Sequence, residues 1–360
     1  MLAKQRDLGD VVSGPEGGPP GQHPFLDRDE IHGIYRSWRR VANSYPDRRL
    51  LVGEVWLADS ERLALYPRDD ELHSAFNFDF LCSAFEAPAL RRVIDSTLAS
   101  HAGLGATPTW VLSNHDVVRH VTRYGRANTL FQMSDRRIGE ASDLELGTRR
   151  ARAAALLALS LPGTVYIYQG DELGLWEVED IPDELLQDPF WQRSKQTDRG
   201  RDGCRVPLPW SGEQTPFGFT ADGARPWLPQ PEGWKTLTAE AQRSDPGSML
   251  ALYKSALALR RAEPSLCSAD LVWNEGPADM LSYWRGADVL VLANLADEPV
   301  DLPHHDHVLL TSSPLVDGPR RRRSRSSGTG DNDGPDGSLV PPDTTVWMRA
   351  ERSVNVVPTT

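Results

Sequence analysis

Trp110-Val-Leu-Ser-Asn-His-Asp-Val-Val-Arg-His120 decides how this chain is read. Thr109 to Ser113 is short and apolar, the composition of a buried strand, and it runs without a break into Asn114, His115 and Asp116. A buried strand that ends in an acid beside an imidazole is what a parallel barrel places at its active face, where catalytic side chains sit on the carboxyl ends of the strands. Upstream, Leu50-Leu-Val-Gly-Glu-Val-Trp56 repeats the design, with an apolar run delivering one carboxylate, Glu54. Two strand-end carboxylates point to glycosidic-bond chemistry. That chemistry needs one group to protonate the leaving oxygen and others to steady positive charge on the sugar.

The chain has 360 residues, 39% of them hydrophobic, with 11 Trp. It can bury a large core and is long enough for one barrel-sized domain and a smaller one. A formal net charge of -12, from 51 acidic and 39 basic residues, argues against nucleic-acid partners, because phosphate contacts need clustered positive charge. Cys82, Cys204 and Cys267 are far apart and lack C-x-x-C spacing, so neither a disulfide framework nor a zinc site is indicated and no cofactor is expected. No apolar run reaches the roughly 20 residues of a membrane span. A soluble, cytoplasmic chain without membrane partners is expected. His304, His305 and His307 have no matched ligand spacing, and Arg320 to Arg323 lie in a Gly/Ser stretch followed by Asp331, Asp333 and Asp336, so neither cluster reads as a metal or nucleic-acid site.

Around the central stretch, periodicity places the other elements. Residues 1–24 are rich in Gly and Pro and read as a loop. Asp27 and Glu30 form a capping pair for a helix whose inward face would be Ile31, Ile34, Tyr35, Trp38 and Val41. Phe76-Asn-Phe-Asp-Phe80 alternates and reads as a strand carrying Asn77 and Asp79 on one side. Helices are expected over Ala87 to His101 and Thr148 to Ser160, with a further strand over Thr164 to Tyr168. That order implies a parallel sheet with right-handed crossovers. Residues 175–242 lack periodicity and read as a long lid or binding loop, within which Trp176, Trp191, Trp210, Trp227 and Trp234 are mostly packing residues. A helix follows from Met249 to Leu259. Short β-prone runs at Met280 to Trp284, Val289 to Leu292, His307 to Leu310 and Thr345 to Met348 then predict a small antiparallel β domain.

Gly53-Glu-Val-Trp56, Ser113-Asn-His-Asp116, Tyr168-Gln-Gly-Asp-Glu-Leu-Gly174 and Arg201-Asp-Gly-Cys-Arg-Val-Pro-Leu-Pro-Trp210 occur in that order. Together they resemble the second half of an α-glucosidase of the α-amylase superfamily, glycoside hydrolase family 13, in its oligo-1,6-glucosidase branch. The resemblance implies a retaining hydrolase acting on α-glucosidic bonds of short oligosaccharides, with Glu54 as general acid/base and Asp116 as transition-state stabiliser. It implies sugar contacts from Asn114, His115, Arg201 and Arg205, and Asp79 is placed near the substrate with them. Glu54 must hold a proton near neutral pH, which calls for burial, expected here beside Trp56. A lone strand-end Glu is more often structural than catalytic; the ordered set of motifs is what favours chemistry. Asp171 and Glu172, after the last strand, read as loop hydrogen bonders.

The nucleophile of such enzymes lies in an Arg-x-Asp pattern on the fourth barrel strand with a His downstream; no such pattern is expected anywhere in these residues, and no residue here is assigned to it. The first- and third-strand motifs are missing too, and Met1-Leu-Ala-Lys4 resembles what directly follows the nucleophile segment in relatives. The expected fold is therefore α/β: a partial TIM (β/α)8 barrel, strands five to eight, over 1–265, and a C-terminal β domain over 266–360 with a disordered insertion at about 314–342. The chain is expected to start just after strand four, through a wrong start or a true truncation. Without a nucleophile it is expected to be inactive, and its open barrel edges would allow self-association. Two alternatives stand beside hydrolysis: a non-catalytic carbohydrate-binding or assembly fragment, and a transglycosylating isomerase of the same superfamily.

Overall fold

The computed structural model describes residues 23–57, 59–102, 104, 106–221, 223–318 and 337–352. The amino-terminal loop expected over 1–24 and the arginine run at 320–323 therefore lie almost wholly outside the described residues. Two compact units form, residues 1–80 with 92–110 and residues 81–91 with 111–360.

In the first unit, helix α1 (Glu30–Asn43) is followed by strand β1 (Val52–Gly53), helix α2 (Ser60–Ala64), strand β2 (Ser74–Ala75) and the start of helix α3 (Phe78–Cys82). Asp27 does not cap α1. It sits at φ 42° and its carboxylate accepts from Arg62 at 2.7 Å and from the Tyr66 hydroxyl at 2.8 Å. Of the expected inward face, Ile31 is buried, whereas Trp38 and Val41 are exposed. The helix is anchored by charge. Glu71, wholly buried, receives His32 at 2.6 Å, Arg36 at 3.0 Å and Arg68 at 2.5 Å. Hydrophobic periodicity cannot report an anchor made of ion pairs.

β1 and β2 pair in parallel, Val52 opposite Ser74 and Gly53 opposite Ala75. The strand expected over Phe76 to Phe80 is instead the entry to α3. Asn77 accepts the Phe80 backbone N–H at 3.0 Å and donates to Thr97 at 2.9 Å, so its side chain takes a donor that a strand would have used. Phe78 stacks on Trp56 with centroids 3.5 Å apart, and Phe80 meets Trp110 edge-on at 5.1 Å. Both phenyls are buried because the short helix lies in the core, not because they share a strand face.

Helix α4 (Ala87–Ala102) and strand β3 (Thr109–Val111) lead to α5 (His120–Tyr124), α6 (Leu144–Ser160) and strand β4 (Thr164–Tyr166). In the second unit α6 starts a turn earlier than its apolar pattern predicts, because Asp143 caps it, accepting from Glu145 and Leu146. Residues 175–242 contain short 3-10 turns and two small helices, α7 (Pro189–Arg193) and α8 (Ala239–Arg243). Irregular as it is, this segment has a core of its own, in which Leu175, Val206, Phe217, Leu228 and Trp234 are buried together.

Helices α9 (Met249–Ala262) and α10 (Pro264–Cys267) then enter the β region, so the expected boundary after residue 265 falls within α10. Strands β5 (Leu271–Trp273), β6 (Met280–Arg285), β7 (Val289–Asn294), β8 (Val300–Asp301), β9 (His307–Thr311), β10 (Val316–Asp317), β11 (Ser338–Val340) and β12 (Thr344–Arg349) make two sheets. One is ordered β5-β6-β7-β12-β9 with antiparallel neighbours, as the short β-prone runs predicted. The other, β10-β11-β8, uses both flanks of the segment expected to be irregular from 314 to 342; residues 319–336 lie outside the described residues. The larger sheet docks on α6, where Thr345 donates to the Ala153 carbonyl at 2.9 Å and the Trp347 indole to Leu156 at 3.2 Å. Among the described residues no helix is long and apolar enough to cross a membrane.

The join between α5 and α6 is tight enough to test. A Cβ at Gly147 would lie 2.0 Å from the Val121 carbonyl oxygen. Gly147→Ala is expected to destabilise the fold by about 1–3 kcal/mol through forced separation of the two helices. Urea unfolding would show this as a lowered midpoint with an unchanged slope.

Candidate active site

Asn114, His115 and Asp116 form a turn directly after β3. The Asn114 carboxamide oxygen accepts the N–H groups of Asp116 at 2.8 Å and Val117 at 3.1 Å, which holds the turn and leaves His115 exposed and Asp116 half-buried. Asp116 Oδ1 then receives Arg201 at 2.7 Å and Arg205 at 2.9 Å, with His115 Nε2 at 3.6 Å. Arg205 also donates to the His115 carbonyl at 2.8 Å, and Arg136 to the Asp116 carbonyl at 2.6 Å. Burial alone would raise the Asp116 pKa. The Arg201 hydrogen bond and the charges of His115, Arg201 and Arg205 outweigh it and hold the carboxyl below the usual range. Asp116 is thus a fixed anion, suited to stabilising positive charge and unsuited to donating a proton.

Arg201 is itself held from behind by Asp188, which sequence reading missed. The Asp188 carboxylate accepts from Arg201 Nε at 2.6 Å and from the Arg201 backbone N–H at 3.0 Å, and caps α7 through Phe190 N–H at 3.0 Å. Asp202 closes the loop, accepting from Gln187 at 2.5 Å and Asp188 at 2.9 Å. The Asp-Pro start of a helix was a visible cap signal at Asp188, but its second role depends on Arg201, in a different turn.

Beneath this cluster lies a buried polar layer. Arg119 donates to the carbonyls of Gln169 at 3.0 Å and Cys204 at 2.9 Å, and its own N–H to Glu177 at 2.8 Å. Ser113 and His120 Nδ1 are 2.7 Å apart, and Asp171 lies 3.6 Å from that same nitrogen. Ser113, His120 and Asp171 bear the side chains of a nucleophilic triad, yet all are buried and both partners address one ring nitrogen, so no relay exists. Burial, with the charges of Arg123 and Arg119, drives the His120 pKa down to about 3. Burial drives Asp171 up to about 7 against the pull of Arg119, and Glu177 up to about 7 likewise. Asp171 and Glu172 accept from their own loop, from Tyr168 at 3.2 Å and Gly170 at 2.8 Å.

The first unit carries Glu54 and Asp79. Glu54 follows β1 and borders a cavity of about 250 Å³ with Phe25, Tyr35, Trp56 and Tyr66. The burial expected for Glu54 is absent: the residue is exposed, and Trp56 stacks on Phe78 and is itself 39% exposed. Asp79 belongs to the first turn of α3, half-buried, with its pKa raised by burial. Arg68-Asp69-Asp70 matches the letters Arg-x-Asp, contrary to the expectation that the pattern is missing. It occupies a turn whose two aspartates are exposed, not the end of a strand. Among the tryptophans, Trp191 and Trp234 are buried, while Trp210 and Trp227 are exposed.

The family model for the alpha amylase catalytic domain matches residues 1–269. The chain belongs to the alpha-amylase family. It is 34% identical over 280 residues to a probable alpha-glucosidase of Rhizobium meliloti, an alignment covering 75% of this chain and 46% of the relative. An oligo-1,6-glucosidase of Parageobacillus thermoglucosidasius is 27% identical over 357 residues, covering 88% of this chain and 59% of that protein. A solved alpha-glucosyl transfer enzyme superposes with a TM-score of 0.71 at 27% identity, over 97% of this chain and 62% of that one. This alpha-amylase-family chain therefore spans about half the length of the curated relatives it matches.

The buried layer predicts a pH effect. Folding raises the Asp171 pKa to about 7, so the native state holds a proton that the unfolded chain has released. Its contribution is full below the unfolded pKa and is lost as pH rises through about 7. Asp171→Asn cannot lose it. The urea midpoint of this variant relative to the parent is expected to climb from pH 5 to pH 8 and then level off; a constant difference would contradict the assignment.

Proposed function

We propose that this chain supplies the acid/base and sugar-holding part of a retaining α-glucosidase site. Glu54 would protonate the glycosidic oxygen, and Asp116 would stabilise the oxocarbenium-like sugar. His115, Arg201 and Arg205 would hold its hydroxyls, with Asn114 fixing the turn and Asp79 nearby. A sugar covering Glu54 would provide the desolvation that general-acid work needs. The observation that carries the reading is the Asp116 carboxylate, kept ionised by Arg201 and Arg205 beside an exposed imidazole. Membership of the alpha-amylase family and similarity to named α-glucosidases support it. In this reading β1 to β4 correspond to strands five to eight of a (β/α)8 barrel, residues 1–265 form the barrel part, and 266–360 the β domain. Transfer of the glucosyl group to another sugar would use the same residues; similarity to an alpha-glucosyl transfer enzyme favours keeping it as the second reading.

No aspartate is assigned as nucleophile, so the chain is proposed not to complete a double displacement by itself. Incubation with α-glucosyl fluoride, followed by intact mass, is expected to show no covalent hexosyl adduct. A stable adduct would place a nucleophile within these residues and end that part of the reading. Binding is separable from turnover. By ligand-observed NMR, methyl α-glucoside should bind the parent chain, and Asp116→Ala should weaken it by roughly tenfold or more, the scale of a hydrogen bond to a charged group. Equal binding by both would remove Asp116 from the site.

A further inference from the structure

Phe190 opens helix α7 just behind its Asp188 cap, and 40% of it is exposed. Its ring is not loose. The Arg201 guanidinium lies over it at 5.1 Å from the centroid and the Arg136 guanidinium at 6.0 Å. Each of these cations also grips Asp116, Arg201 at the carboxylate at 2.7 Å and Arg136 at the backbone carbonyl at 2.6 Å. The phenyl is therefore fixed relative to Asp116 through two charges that cannot shift without releasing that residue. A large apolar side chain held rigid at the surface, beside the group that would bind hydroxyls, is how ligand sites combine apolar area with a few polar contacts.

The guanidiniums over the ring take up face area that stacking on a pyranose would use. What it still offers is its edge, the electropositive rim that packs on the face of a second flat ring. We propose that Phe190 is a specificity-determining residue, whose edge contacts the substituent attached to the glucose held at Asp116 and favours flat, apolar aglycones over small alkyl ones. The inference rests on the α-glucoside reading of the Asp116 cluster.

The test compares phenyl α-glucoside with methyl α-glucoside on the full chain, by ligand-observed NMR titration. The parent should prefer the phenyl glucoside by roughly two- to tenfold, the range of one aromatic pair. Phe190→Ala should bring that ratio to about one, and Phe190→Trp should keep it. A ratio that survives in Phe190→Ala, whether both affinities stay or both fall alike, overturns the proposal and leaves Phe190 a structural residue. If the parent binds neither glucoside, the sugar-holding reading fails first, and the role of Phe190 with it.

Discussion

The buried guanidinium of Arg119 is the constraint on which the candidate site depends. A cation 1% exposed is costly unless its donors are met, and here two are met by the carbonyls of Gln169 and Cys204, with Asp171 3.9 Å away. Those carbonyls belong to different loops. One follows β4; the other lies in the turn that carries Arg201 and Arg205. Arg119 itself sits in the segment that carries His115 and Asp116. Satisfying one charge therefore fixes three stretches of chain against each other, and the Asp116 carboxylate meets its arginines because their backbones are tied together underneath.

The carboxylates of this unit divide by what surrounds them. Asp116 and Asp188 are gripped by arginines at 2.6–2.9 Å and have lowered pKa values in spite of their burial. Asp171 and Glu177 are buried without so close a cation at their carboxyl oxygens, and their pKa values rise. The first kind carries permanent negative charge, half-buried at Asp116 and buried at Asp188. The second, with pKa values of about 7, carries less than full charge at neutral pH, which leaves Asp116 and Asp188 as the full anions paired with Arg201. A fixed anion held in place by its own arginines has no solvent to rearrange when positive charge develops beside it.

Stretches that form short local motifs were legible in the sequence. Ser113 to Asp116 could be read because a strand running into a polar turn is a pattern of neighbours, and Arg201 and Arg205 because they belong to one short motif. The antiparallel sheet from Leu271 onward was legible for the same reason. Asp188 and Arg119 were not: Asp188 showed only as a helix cap, and the partners of Arg119 at Gln169, Glu177 and Cys204 lie 50, 58 and 85 residues on. Glu71 was hidden likewise: a buried carboxylate that receives His32, Arg36 and Arg68 looks in sequence like a surface residue. The alternation at Phe76 to Phe80 misled for a different reason. A capped helical turn inside a core can bury every second residue over so short a span, and only the Asn77 side chain tells the two apart.

The segment from Leu175 to Gln242 shows what kind of site this is. Its lack of periodicity suggested a lid, yet Leu228 and Trp234 are 0% exposed and Phe217 is 1% exposed. A loop that buries its own aromatic and aliphatic side chains pays its ordering entropy before any ligand arrives. The turn bearing Arg201 and Arg205 is stitched into it twice, by Asp188 and by Asp202. Neither arginine then needs a closing motion to reach Asp116. Selectivity at such a site is decided by fixed side chains at its rim and not by which ligand can draw a flap shut.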